Sequence, residues 1–472
     1  MCHQAFSNDI LDAVSLVSTI QTFQALKRDA ELRLKDFTQP LAIKIGFCLL
    51  FVLFGCKKDV QQVLPNERIV AIQAPREPEK DAQTLLNEAG QSLQAGDIDS
   101  ASKAIRTALA IEPDNPQLRF TLAIVLGQEH RYPEAVMMLD ELAEAVPETR
   151  LPALGQTAEW LVVQGDWAQA EARYKTVLEE IPDVAMAHRQ LSQLLVRQGR
   201  QLEAAKHLHS LCQQGNIEEV ELRTLLCLES PFAADAARAE LEPIGPLGKA
   251  RSAIGNGNWE DAATILLSEK TLAPVEAALL GRIHAEQSDF AKLEVWANSL
   301  SKSDSETADG WFARAVLASH QGDHRLAVKH LCETVLKDPT DERAFAKLAK
   351  SLQHLGATAE ARQATERAKW LARTRTIGNQ MAASSERNLN TLAELAELLE
   401  QLHRPLESLS WQAVRIAYGR SILPKEEQQS QLVEINSRRL QLIASTQPAA
   451  TEQFILCGVD PDAIAPPKVS SE

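Results

Sequence analysis

The sequence predicts an all-α fold, an α-solenoid in which antiparallel helix pairs stack along the chain. Three observations point to it. The 472 residues are 45% hydrophobic and 24% charged but only 5% aromatic, a globular composition. Ala, Leu, Gln and Glu are abundant, and the Val, Ile and aromatic runs that strands favour are scarce. A block then recurs with a period of 34 to 35 residues, punctuated by Pro113, Pro147, Pro182 and later Pro339. Within each of these blocks small residues return at fixed places. The net charge of −15 excludes general binding to nucleic acid or to an anionic lipid surface, since both need a basic face.

The first eighty residues lie outside the repeat. After an amphipathic stretch ending at Pro40, the chain reads Lys44-Ile-Gly-Phe-Cys-Leu-Leu-Phe-Val-Leu-Phe-Gly-Cys56-Lys-Lys. Its apolar run, Ile45 to Gly55, has eleven residues. A bilayer needs about 20, so the length suits the core of a signal peptide instead. The ending Leu53-Phe54-Gly55-Cys56 resembles the lipobox of bacterial lipoproteins, with Phe54 departing from the usual small or aliphatic residue. That resemblance implies that Cys56 carries the lipid and that Gly55 is the small residue beside the cut. Two or more acyl chains would anchor the chain stably to a membrane. Lys57 rather than Asp after the cysteine implies the outer membrane over the inner, facing the periplasm.

Residues 1–55 are then a leader. Its charges cancel: Asp9, Asp12, Asp29, Glu31 and Asp36 against Lys27, Arg28, Arg33, Lys35 and Lys44. Residues 1–40 are expected to be an over-long gene start. Residues 56–81, with Pro65, Pro75 and Pro78 and no helical period, read as a tether.

The repeat proper occupies residues 82–218 as four units: Ala82–Asn115, Pro116–Thr149, Leu151–Val184 and Ala185–Glu218. Small residues fall at position 8 (Ala89, Ala123, Ala158, Ser192) and at position 20 (Ala101, Ala135, Ala170, Ala204). Position 15, the turn, is Gly96, His130, Gly165 and Gly199, and position 24 is Ile105, Leu139, Tyr174 and Leu208. Small residues let two helices approach closely, bulky ones fill the gap to the next pair, and Gly supplies positive φ at a helix end. Agreement of all these positions in one register resembles the tetratricopeptide repeat (TPR) family.

Residues 219–242 read as a degenerate helix pair broken at Ser230-Pro231. Residues 243–375 carry four further TPR-like units, with Gly257, Ser288, Gly322 and Gly356 at the turns. Residues 376–444 hold a divergent pair, Leu389–Tyr418, and a capping helix over 425–444. Residues 445–472, rich in proline, read as a flexible tail.

No pattern for catalysis is present. The seven cysteines form no Cys-x-x-Cys, which leaves a zinc or redox site unsupported. His207-x-His209 points to opposite sides of a helix, and Gly255-Asn-Gly257-Asn is a turn, since no Gly-Lys-Ser/Thr follows it. The expectation is a non-enzyme without cofactor, metal or small-molecule substrate. Resemblance to the TPR family implies instead a groove lined by positions 2, 5, 9, 12 and 13 of each first helix. In the first four units these include Leu86, Phe120, Ile124, Gln128, Glu159, Val162, Arg189, Gln193 and Arg197. Phe312, Val316 and Lys350 stand at such positions later. An apolar strip of Leu86, Phe120 and Ile124 leading to Arg189 and Arg197 suits an extended peptide or a partner helix with acidic residues, and Phe120 and Ile124 suit as well the cover of a neighbouring helix. Leu86 and Gly90 stand where co-chaperones of the family carry Lys and Asn, so that ligand class is not implied. The expected function is a lipid-anchored scaffold in the bacterial envelope that binds a protein partner. Two alternatives stay open: the helical part of a larger or truncated secreted multidomain protein, or a cytoplasmic assembly adaptor.

Overall fold

The computed structural model describes residues 80–238, 241–299, 306–420, 424–445, 448–461 and 463. The leader, Cys56 and nearly all of the tether lie outside the described residues. Among the described residues there are 22 α-helices and no strand. They divide into two compact units between Gly165 and Asp166.

The first unit holds α1 (Ala82–Ala95), α2 (Ile98–Ile111), α3 (Pro116–Gln128), α4 (Tyr132–Ala145) and α5 (Arg150–Gln164). Asp81 caps α1 by accepting from Thr84 N at 2.7 Å, and Asp97 caps α2 from Ser100 N at 3.1 Å. The small residues expected at the pair contacts are fully buried: Ala89 and Ala101, Ala123 and Ala135. Ile105 and Leu139 lie beside them with no exposure. Gly127 is equally constrained, because a Cβ there would stand 2.5 Å from the Trp160 ring. Position 12 of the second unit therefore admits only glycine if that ring is to pack.

The second unit holds the remaining helices. Four are α6 (Trp167–Glu180), α7 (Ala185–Arg197), α8 (Gln201–Gln214) and the short α9 (Glu219–Leu226). After α10 (Ala233–Ala236) come the pairs α11/α12 (Gly245–Gly255, Trp259–Leu267) and α13/α14 (Pro274–Glu286, Phe290–Ser299). They continue as α15/α16 (Ala308–His320, His324–Lys337) and α17/α18 (Glu342–His354, Thr358–Ala383). The chain ends in α19/α20 (Leu389–Gln401, Pro405–Tyr418), α21 (Lys425–Ala444) and α22 (Pro448–Ile455).

Every second helix from α2 to α18 in the eight repeat units begins at position 17: Ile98, Tyr132, Trp167, Gln201, Trp259, Phe290, His324 and Thr358. The residue two before it turns left-handed each time, at φ between 57° and 84°. Six are Gly, but His130 and Ser288 adopt the same conformation at φ 61° and 57°. The next amide closes the helix end, as Arg131 N does on Leu126 O at 2.9 Å and Asp289 N on His284 O at 2.9 Å.

Two segments depart from expectation. Helix α18 runs on to Ala383, past the unit boundary expected at residue 375, because Ile377, Gly378 and Met381 bury against the unit's core. The tail expected to be flexible from residue 445 contains α22, and beyond it Leu456, Cys457 and Val459 are buried. Phe454 also stacks on His403 with ring centroids 3.6 Å apart. Those apolar residues outweigh the prolines that made the tail read as loose.

Within the second unit the chain also returns on itself. Helix α20 packs on α8 and α9, and Trp411 shares one buried cluster with Leu208, Leu222 and Leu225. Arg404 donates to Leu225 O and holds Glu407 in the same place.

Candidate protein-binding surface

The nine groove positions divide sharply. Phe120 and Ile124 on α3 are only 4% and 5% exposed and belong to the cluster of Leu139, Leu142 and Trp160. They hold the first unit together and offer no apolar strip to a ligand. Leu86 on α1 packs half-buried against its neighbours, and Gln128 at the end of α3 is half-buried. Val162 on α5 is half-buried, while Val163 beside it is 65% exposed. Glu159, one turn earlier, accepts from Gln156 Nε2 at 3.2 Å. Burial pushes its carboxyl up to about 7, close to neutral pH.

The two arginines expected to meet a partner's acidic residues are already engaged. Arg189 Nε on α7 donates to Glu221 Oε1 at 2.8 Å and pairs with Glu218 at 3.5 Å. Its Nη2 also reaches Asn216 O. Burial alone would lower Arg189, but the Glu221 carboxylate overrides it and the guanidinium is raised. Arg197 Nε donates to Glu242 O at 2.9 Å, and Arg197 O accepts from Ile244 N at 2.7 Å. Gln193 between them is half-buried. Of the later positions, Phe312 and Val316 are buried in the core, whereas Lys350 is exposed.

What occupies Arg189 and Arg197 is the degenerate stretch that follows the fourth unit. Its own local structure explains how. Glu221 reaches back to Glu218 N at 2.7 Å to start α9, and Arg223 clamps Asp235 through two bonds of 3.0 and 2.6 Å. Between them, Cys227 to Phe232 runs without helix and, Pro231 apart, is almost fully buried. A buried loop is uncommon because its amides and carbonyls need partners. Here the partners are side chains from the array: Leu228 N donates to Thr340 Oγ1 at 3.0 Å, and Arg251 Nη1 donates to Glu229 O at 2.7 Å.

Sequence reasoning missed this segment. Ser230-Pro231 signalled a break, but nothing local showed that the broken piece turns inward. Arg251 and Arg282, at the same position 9 of successive first helices, were the available signal.

Among the described residues no group of three or more His, Cys, Asp or Glu is arranged to hold a metal ion. Cys212, Cys227, Cys332 and Cys457 are buried free thiols. No described helix is long and apolar enough to cross a membrane.

Comparison with known proteins finds the same type of repeat in the N-terminal half. Two family models, each described as tetratricopeptide repeat, match residues 92–154 and 158–216. No curated protein matches the chain in sequence. Among solved structures, a tetratricopeptide repeat protein from Parabacteroides merdae is 15% identical, covering 57% of this chain and 98% of its own, with a TM-score of 0.27. The TPR2AB domain of yeast Sti1, solved with pHSP90, is 14% identical over 69% of this chain and 98% of its own, with a TM-score of 0.28. A chain of the APC/C hetero-tetramer Cut9-Hcn1 is 15% identical, covering 79% of this chain and 82% of its own, with a TM-score of 0.27. Such low scores transfer neither shape nor partner to this chain. The repeats themselves are identified: the chain carries tetratricopeptide repeats over residues 92–154 and 158–216, within an all-helical architecture.

Proposed function

We propose that the protein is a non-enzymatic scaffold that binds a protein or peptide partner and is held at the bacterial envelope by a lipid on Cys56. The observation that carries the binding half is the pair of matched tetratricopeptide segments, because stacked helix pairs of this kind present extended surfaces for protein ligands. The first unit is the favoured contact region. Leu86, Gln128, Glu159 and Val162 stand at inner positions there, with Val163 exposed beside them. Phe120 and Ile124 support that face from beneath. In the second unit the matching arginines serve the chain itself.

The anchoring half rests on the run Ile45 to Gly55 and its ending Leu53-Phe54-Gly55-Cys56. Lys57 after the cysteine favours an outer-membrane lipoprotein facing the periplasm.

The two halves are tested separately. Palmitate labelling of the full chain is expected to disappear, together with membrane fractionation, in Cys56→Ala. Unchanged labelling and fractionation would overturn the anchor and favour a cytoplasmic adaptor. Affinity capture with Val163→Glu and Gln128→Glu is expected to lose the partner recovered by the parent chain. Retention of every partner by both variants would place binding elsewhere.

A further inference from the structure

The buried stretch Cys227–Phe232 is recognised by the surrounding helices in the way a bound peptide is recognised. Its carboxylate, Glu229, sits 3.2 Å from Arg282 Nη2 on α13 and 3.7 Å from Arg375 Nη1 on α18. Its backbone is read on both sides of that residue, by Thr340 and Arg251. Two glycines make the room. A Cβ at Gly255 on α11 would stand 2.2 Å from Pro231 O, and one at Gly378 on α18 would stand 2.4 Å from the Phe232 ring.

We infer that the inner face of α11, α13 and α18 is a peptide-binding site occupied in cis by the chain's own Leu228-Glu229-Ser230-Pro231-Phe232. The ligand class that it takes in trans is an extended peptide with a carboxylate between two large apolar side chains. The inference rests on the reading of the chain as a protein-binding repeat array.

Three features support exchange over permanent closure. A buried ion pair contributes little net stability, because desolvation offsets the attraction. Replacing one carboxylate by another that makes the same contacts is therefore close to neutral, whereas removing Glu229 without a replacement takes from Arg282 Nη2 its nearest carboxylate. A small cavity of about 20 Å³ lies under Pro231 and Phe232, lined also by Val196, Asp235 and Ser252, so packing beneath the segment is incomplete. The segment also ends on a helix of only four residues, Ala233–Ala236, too short to be stable by itself and fixed by the Arg223–Asp235 pair. Tethering gives the resident segment an effective concentration in the millimolar range, so a competing peptide needs either extra contacts or a weakened resident.

The test uses the full chain and a fluorescein-labelled peptide with the sequence of residues 225–235. Fluorescence anisotropy is expected to show at least tenfold tighter peptide binding by the Glu229→Ala, Phe232→Ala double variant than by the parent. A peptide carrying Glu229→Lys is expected not to bind. Absence of binding to a folded double variant would overturn the inference. Hydrogen exchange on the parent chain covers the case in which that variant does not fold. Amides 227–230 and 232 are expected to exchange by local opening, at least a hundredfold faster than those of Phe312 and Phe345. Equal rates, meaning that the segment opens only when the unit unfolds, would overturn it. Failure here with partner capture still sensitive to Val163→Glu leaves the binding scaffold intact; loss of both overturns the two together.

Discussion

Arg282 Nη1 donates to Asp341 Oδ2 at 2.6 Å, with the guanidinium 1% exposed and the carboxylate at no exposure. Burial alone would raise Asp341, but the Arg282 guanidinium overrides it and holds the carboxyl below its ordinary range. Asp309 at 3.4 Å and Glu229 at 3.2 Å share the same guanidinium. Asp341 also starts α17 by accepting from Ala344 N at 2.9 Å. Asn at 341 keeps that cap and removes the charge. Breaking a buried pair in this way destabilises by about 3 to 5 kcal/mol. Urea unfolding of Asp341→Asn is expected to show a loss of that order; a loss below about 1 kcal/mol would show that the pair is dispensable.

Two glycines admit tryptophan rings. A Cβ at Gly127 would meet Trp160 at 2.5 Å, and one at Gly281 would meet Trp296 at 2.2 Å. Trp296 is fixed by Nε1 donating to Ala277 O at 2.7 Å, so its ring cannot swing clear without losing that bond. Gly281→Ala is expected to destabilise by about 1 to 3 kcal/mol, the usual effect of overpacking a core. A thermal melt checks this, and an unchanged midpoint would mean that the ring repacks freely.

Ser288 carries a left-handed turn that six other units assign to glycine. A side chain in that conformation costs about 1 kcal/mol. Ser288→Gly is accordingly expected to raise stability slightly, by up to about 1 kcal/mol, and Gly322→Ala to lower it by a similar amount. Paired melts of the two variants decide the matter through the opposite signs.

A half-buried histidine and a buried aspartate give opposite responses to pH. Burial, then the neighbouring His188 imidazole, lowers His207 to about 4, below its unfolded value of about 6.5. Its contribution is present above pH 6.5 and lost as pH falls towards 4. Burial and the adjacent Asp341 push Asp338 up to about 6, above the ordinary carboxyl value near 3.8. Its contribution is complete below that ordinary value and is lost as pH rises through 6. Asp338→Asn is therefore expected to gain on the parent above pH 6 and to lose the gain near pH 4. His207→Gln is expected to flatten the acid limb. Stability measured across pH 4 to 8 separates the two, and parallel profiles for all three chains would contradict both assignments.

The helix-pair register was legible in the sequence because it is local. A turn residue at position 15, such as Gly96 or His130, and a small residue at 20, such as Ala101, act within a few residues of themselves. Even His130 and Ser288, which lack glycine's freedom, stood at the right place. The destinations of charges were not legible. Arg189 and Arg197 read as ligands for a partner because they stand at positions 5 and 13 of their unit, which line the groove in the TPR family. Their counterparts, Glu221 and the Glu242 carbonyl, lie in a stretch whose broken pattern concealed that it folds inward. Phe120 and Ile124 read equally as groove or core, and periodicity does not separate the two when a helix is covered on several sides. For the tail, Pro448 and Pro461 outweighed Leu456, Cys457 and Val459 in the sequence reading, and docking on the fold reversed that balance.

The central claim, a protein-binding surface on the first helices of residues 82–165, is tested most directly by site-specific photo-crosslinking in cells. A photoreactive amino acid is placed at Val163, at Gln128 and, as a control, at Met137, which is exposed on a second helix. Discrete protein adducts from positions 163 and 128 and none from 137 are the expected result. No adduct from 163 and 128, or the same adducts from 137, would contradict it.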